Sequence, residues 1–281
     1  MGGRSCKALR DGVCERGKMK HYMKLNGEPF CMVATGKKDI ELRLYDEKRR
    51  MIKPGDVICF SHRDNGEELF AAVLAMHAFE DFSGIYELFD KERLGYKSNE
   101  AANPSDMELY YSAEDIKKYG AVGIEICLLD RLTPALLVDR GICPTCFDKE
   151  NGGVLYGDGE DKLIYKDDRV VCFLAGNPRA EGHAIISSVK HYKDTSELPS
   201  ELCAYVFCLA QRLMCGIKET YGCESVYLCT MCDGPMNHFH LQLIPRYSFE
   251  KRGSTNFVKP RSEYLCNYQK LEKLRKILNS I

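Results

Sequence analysis

The 281-residue chain lacks an excess charge of either sign: 40 Lys and Arg stand against 41 Asp and Glu, a formal net charge of −1. Such a balance gives no whole-molecule field for nucleic acid or an acidic membrane, so any basic surface is local. It also lacks an uninterrupted apolar run near the ~20 residues that a bilayer span needs, which predicts no membrane partner. Residues 1–18 carry Arg4, Lys7, Arg10 and Arg16 but no apolar core, which excludes a secretory signal. They read as part of a disordered leader (1–20), or as an extension before Met19 or Met23. Internal repeats and low-complexity tracts are missing too. Cysteine, by contrast, is abundant: there are 15, an odd number, and Cys59, Cys127, Cys203 and Cys208 sit in hydrophobic stretches. Without an export signal, this predicts a cytoplasmic protein whose thiols pack as small hydrophobes. With 44% hydrophobic and 29% charged residues, a packed core is affordable, and the length favours about two domains.

The first predicted domain covers 21–132. Strands are expected at Asp56–Phe60, after the Pro54–Gly55 turn, at Glu68–Met76, after Asp64-Asn65-Gly66, and at Gly123–Leu129. Helices are expected from Phe82 to Glu92 and from Ser112, which Asp115 completes as a capping box. Strands dominate, so the fold class is α+β with a small open barrel. A linker follows at 133–142, broken by Thr133-Pro134. The second domain, 143–261, has strand patterns at 162–166, 170–174, 183–187, 225–230 and 238–244. A long helix is expected from Pro199 to Tyr221, its apolar face formed by Leu202, Val206, Leu209, Leu213 and Ile217. Leu271, Leu274, Ile277, Leu278 and Ile281 give a C-terminal helix within 262–281, to be packed on the core or on a partner.

The stretch Asn237-His238-Phe239-His240-Leu241-Gln242-Leu243-Ile244-Pro245-Arg246 alternates strictly, as a strand does. His238, His240 and Gln242 share one face, and Phe239, Leu241 and Leu243 share the other. Histidine is only 7 of 281 residues, so two at this spacing beside a glutamine call for a function. The bland alternative is a solvated strand face. The stretch resembles the histidine-triad (HIT) superfamily motif. Asn177 to Ile186, with its Gly182-His183, resembles the family's turn and strand, and Lys190-His191 and the long helix fit its order. The resemblance covers 141–261. It implies an antiparallel sheet with a long helix, and a nucleotide substrate whose α-phosphate is attacked by the middle histidine, His240. A neutral imidazole is the nucleophilic form, and a covalent intermediate splits one hard displacement into two.

At the third position this chain has Gln242, which has no proton to give but can hold a phosphate oxygen. That form resembles the transferase branch, which includes galactose-1-phosphate uridylyltransferase and diadenosine tetraphosphate phosphorylase. It implies nucleotidyl transfer or phosphorolysis rather than plain hydrolysis. The catalytic set is then His238, His240 and Gln242. Ala175 falls where the family has its ribose-binding Asp or Asn, so Asn177 is taken as the substitute. Asn237 and Arg246 complete the expected nucleotide contacts, with a surface arginine as the other reading of Arg246. The competing class is a module that binds nucleotide without turning it over. A homodimer is a further implication of the resemblance.

Cys143-x-x-Cys146 can chelate zinc, and two further ligands would close a tetrahedron. The resemblance supplies His191 and His238, which makes the zinc structural. Cys229-x-x-Cys232 is a rival pair that would give an all-thiolate site, and buried thiols without metal are the third reading.

In the first domain, Gly36-Lys37-Lys38-Asp39-Ile40-Glu41-Leu42-Arg43 resembles the Gly-x-Lys-x-x-Glu-x-Arg motif of the ASCH family. Leu25–Phe30 and Lys53–Asp56 fit as well. The resemblance implies a PUA-like barrel and a role in binding RNA or a modified nucleoside through Lys38, Glu41 and Arg43. Some members are amidohydrolases, a use in which Thr35 and Lys38 would take part. The plain alternative is a salt-bridged surface strand. Tyr45, Phe60 and Tyr86 are the candidate stacking residues.

Overall fold

The computed structural model describes residues 21–157, 159–252 and 259–279, so the leader and Ile281 lie outside the described residues. The chain divides after Leu155 into two units.

In the first unit β1 (His21–Leu25), β2 (Ile40–Leu44), β3 (Val57–His62), β4 (Glu68–Phe79) and β5 (Ala121–Leu128) form one sheet in the order β1-β3-β4-β5-β2. Only β1 and β3 run parallel. The sheet curls into a half-barrel, and Arg43 on edge strand β2 reaches the Lys24 carbonyl on the other edge, β1. Alternation along β3 sends Ile58 and Phe60 into the core inside the curl, and Val57 and Cys59 to a second core on the other face. Phe60, a sequence candidate for base stacking, is therefore interior.

Helix α1 (Gly27–Thr35) was not foreseen. It buries Phe30 and Val33, and it stops at Gly36, whose φ of 76° suits glycine. The single helix expected over Phe82–Glu92 is interrupted. α2 (Ser83–Leu88) ends at Phe89, which is extended (φ −118°, ψ 141°), and a short turn, Lys91–Leu94, follows. The break lets Arg93 reach Asp39 and Glu125. α3 (Ala113–Tyr119) is capped by Ser112, whose hydroxyl accepts the Asp115 N–H. α4 (Pro134–Asp139) and α5 (Pro144–Glu150) pack through Leu137 and Phe147 onto the outer face of this sheet.

In the second unit β6 (Leu163–Lys166), β7 (Val170–Leu174), β8 (Ala184–Ser188), β9 (Ser225–Cys229) and β10 (His240–Arg246) form an antiparallel sheet in the order β6-β7-β8-β10-β9. α6 (Ser200–Tyr221) lays Val206, Leu209, Leu213 and Ile217 into the same core as Phe239, Leu241 and Leu243. By length and composition α6 could cross a membrane, a helix the sequence survey did not flag. Its buried stripe is committed to this core, as the 3.6-residue period requires. α7 (Tyr268–Asn279) buries Leu271, Leu274 and Leu278 in that core too, which answers whether the tail packs on the core or on a partner.

Candidate functional site

β10 is held on both sides, by β8 (His240 opposite Ser187) and by β9 (Gln242 opposite Cys229). His240 stands at its start, half-buried. Its Nδ1 lies 2.9 Å from the carbonyl oxygen of His238, so the ring N–H is donated there. That bond fixes the tautomer and leaves the Nε2 lone pair available. Gln242, buried, places its Nε2 at 3.3 Å from His240 Nε2. Behind the glutamine lies His183, only 1% exposed. His183 Nδ1 accepts the Arg179 backbone N–H at 3.2 Å. Its Nε2 is buried without a hydrogen bond of good geometry and faces the Gln242 amide. Burial, seconded by Arg261 and Arg179, pulls the His183 imidazole down to about 4.

His238 is buried, and its Nε2–H donates to the Ser188 carbonyl at 2.9 Å. The rings of His191 and His238 meet edge to face with centroids 5.2 Å apart. Cys143, at the N-cap of α5, hydrogen-bonds the Cys146 thiol one turn on, and this bond together with burial pushes that thiol well above the usual range. Cys143, Cys146, His191 and His238 form a group able to hold a metal ion, one ligand atom from each, all within 4.8 Å of one another. Two sulfurs and two imidazole nitrogens suit zinc. The rival pair Cys229 and Cys232 forms no such group among the described residues.

The three expected nucleotide contacts differ in their surroundings. Arg246 is 5% exposed and tied to Glu224 at 2.7 Å, to Ser225 Oγ, and to the carbonyls of Tyr247 and Glu250. Its donors serve the fold, because pairing a guanidinium this deeply buried is what makes its burial tolerable. Asn237 donates its amide to the Lys193 carbonyl, which leaves its side-chain oxygen open. Asn177 is exposed, and its carbonyl accepts from Arg261.

The first unit holds a cavity of about 680 Å³ at the seam of the half-barrel, lined by parts of both edge strands. Lys38, Glu41 and Arg43 come together there. Glu41 is completely buried, with Lys38 Nζ at 3.2 Å and Arg43 on its other oxygen. Burial works against its charge, but Arg43 and Lys38 outweigh it and hold the carboxyl below its usual range. These are not surface pairs. Around them stand Tyr86, Tyr96, Tyr110 and Tyr111, with Arg49 and Arg63. Of the three stacking candidates only Tyr86 lines the cavity.

Residues 157–249 match the HIT domain, and residues 23–129 match the ASCH domain. An uncharacterized HIT-like protein of Methanocaldococcus jannaschii is 30% identical over 105 residues, 34% of this chain and 75% of that protein. The chain belongs to the HIT family. Among solved structures, protein PF0455 of Pyrococcus furiosus is 38% identical over 40% of this chain and 98% of its own, with a TM-score of 0.31. A Zn-bound histidine triad family protein of Mycobacterium smegmatis is 21% identical over 41% of this chain and 82% of its own, with a TM-score of 0.35. This is thus a HIT-family nucleotide-binding protein with an ASCH domain in the same chain. Sequence reasoning did not single out Arg179 and Arg261, both of which act on the buried His183. It also missed Tyr96, Tyr110 and Tyr111 of the ASCH cavity, which fall in segments with no strand or helix period.

Proposed function

We propose that this HIT protein is an enzyme that transfers a nucleotidyl group through His240. The observation that carries the reading is the 2.9 Å bond from His240 Nδ1 to the His238 carbonyl, which presents Nε2 to an incoming α-phosphate. Attack forms an Nε2–P bond, and the carbonyl stabilises the charge that develops on the ring. The Gln242 amide turns from Nε2 to a phosphate oxygen. Asn177 and the side-chain oxygen of Asn237 would contact the nucleotide. Cys143, Cys146, His191 and His238 would hold a zinc ion, whose work is structural: it fixes the turn from which His240 starts. Purified chain and a His240→Ala variant, assayed on dinucleoside polyphosphates and nucleoside phosphoramidates, test the reading. Turnover only with His240 present supports it, and equal turnover by both sinks it.

A second reading is favoured by the ASCH cavity. A carboxylate between two cations, walled by tyrosines, suits a planar base whose edge meets Glu41 and whose faces stack. We infer that it takes a nucleoside or one base of an RNA, and that Glu41 recognises rather than reacts. Calorimetric titration of nucleosides and short RNAs into wild type and Tyr96→Ala tests this. Unchanged heats would count against it. The exposed groove on α6, with Phe207, Cys208, Met214 and Leu228 around about 470 Å³, is our candidate homodimer face, and light scattering reads the mass directly.

A further inference from the structure

In the ASCH cavity Arg43 spends its donors on the protein. It pairs with Glu41, donates to the carbonyls of Leu42 and Lys24, and its charge also meets the Tyr111 hydroxyl. Lys38 faces the same carboxylate. A chain of hydroxyls on the wall sets a different demand. Tyr86 of α2, Tyr96, and Asp106 of the short turn Pro104–Leu109 all line the cavity. The Tyr96 hydroxyl donates to Asp106 Oδ2 at 2.8 Å, and the Tyr86 and Tyr96 oxygens lie 2.7 Å apart. A phenol has one proton to donate, and a carboxylate has none. With the Tyr96 proton committed to Asp106, the proton between the two phenols belongs to Tyr86. Tyr86 then has nothing left to donate, while its oxygen keeps a lone pair. Burial, with the Asp106 charge adding to it, raises both phenols above their ordinary range, so the chain keeps its protons.

We propose that Tyr86 is a specificity-determining residue of this cavity: it accepts a hydrogen bond from the ligand, and so selects a base with an exocyclic amino group over its carbonyl counterpart. This rests on the reading of the cavity as a base site and names the class of base. An amino group on the base edge gives Tyr86 an N–H and leaves the chain intact. A carbonyl at the same place sets lone pair against lone pair. Relief would require turning the Tyr86 proton away from Tyr96, which breaks the chain. A mismatch of this kind costs about as much as a lost buried hydrogen bond, roughly ten- to a hundredfold in affinity. Glu41, the other group assigned to the base edge, also accepts only, so the two agree in polarity. Stacking on the tyrosines is indifferent to the exchange, since every base has a π-face.

The test is calorimetric titration of the full chain with matched pairs, cytidine against uridine and adenosine against inosine, free and within short single-stranded RNAs. Wild type should bind the amino member of at least one pair roughly ten- to a hundredfold more tightly. Tyr96→Phe keeps the ring but removes the acceptor for the Tyr86 proton. Tyr86 is then free to donate, and the preference should collapse, chiefly through tighter binding of the carbonyl member. Tyr86→Phe should lower the preference by weakening the amino member. A merely structural role would weaken both members alike and leave their ratio unchanged. Equal binding of both members by wild type, or a ratio that survives both variants, overturns the proposal and leaves the base site standing. Wild type that binds no nucleoside and no RNA removes the base-site reading, and the proposal falls with it.

Discussion

The two units handle charge in opposite ways. In the ASCH cavity Glu41 is shared between Lys38 and Arg43, so the buried charges already answer one another. In the HIT unit Arg179 carries a buried N–H with no partner among the described residues, and the proposed nucleophile, His240, is oriented by a backbone carbonyl. A self-satisfied cluster shapes a pocket and recognises edges. An unsatisfied one waits for an anion. The contrast fits the two proposed roles, recognition in the first unit and phosphate chemistry in the second.

Mutations sharpen that contrast, and zinc gives the largest effect. Cys146→Ala should lose bound zinc and destabilise the fold by several kcal/mol, about the scale of structural zinc sites. Metal analysis and urea melts read both, and a variant that keeps zinc would break the assignment. Next comes Glu41→Gln, which strands two buried cations and should cost about 3–5 kcal/mol. Because Glu41 is held below its ordinary 4.5, its contribution is present above that value and lost as pH falls through the lower folded value.

His183 follows. Its pKa falls from 6.5 to about 4 on folding, so the unfolded chain binds the extra proton between those values. Stability therefore drops as pH goes from 6.5 towards 4, by about 3 kcal/mol, and levels off below. Urea melts of wild type and His183→Asn across that window should differ in slope. Parallel curves would place the proton elsewhere. Smallest is Arg179→Gln, which breaks no ion pair among the described residues and should shift stability by no more than about 1 kcal/mol. A shift as large as that of Glu41→Gln would mean that the two sites do not differ as described.

How much was readable beforehand follows from periodicity. β10 and α6 show clear periods, of two and of 3.6, and Phe239, Leu241 and Leu213 lie where the patterns put them. The candidate metal ligands, and Lys38, Glu41 and Arg43, follow from motif resemblance, and the side chains of each set lie together. What escaped has no local signal. α1 is nine residues long and carries Pro29 in its first turn. The helix breaks at Phe89, and the Arg93 that follows pairs with residues far away in sequence. The pairing of Arg246 with Glu224, 22 positions earlier, carries no local pattern either. Arg179 and the tyrosines of the ASCH cavity are brought to their places by contacts between distant segments, which no single stretch displays.

The central claim is that His240 Nε2 becomes covalently nucleotidylated. Intact-protein mass spectrometry after a brief incubation with a dinucleoside polyphosphate, followed by fragment mapping, reads this directly. The account predicts an added nucleoside monophosphate on the fragment bearing His240, acid-labile and removed by inorganic phosphate. An unmodified His240 in a chain that nevertheless turns over the substrate would contradict it.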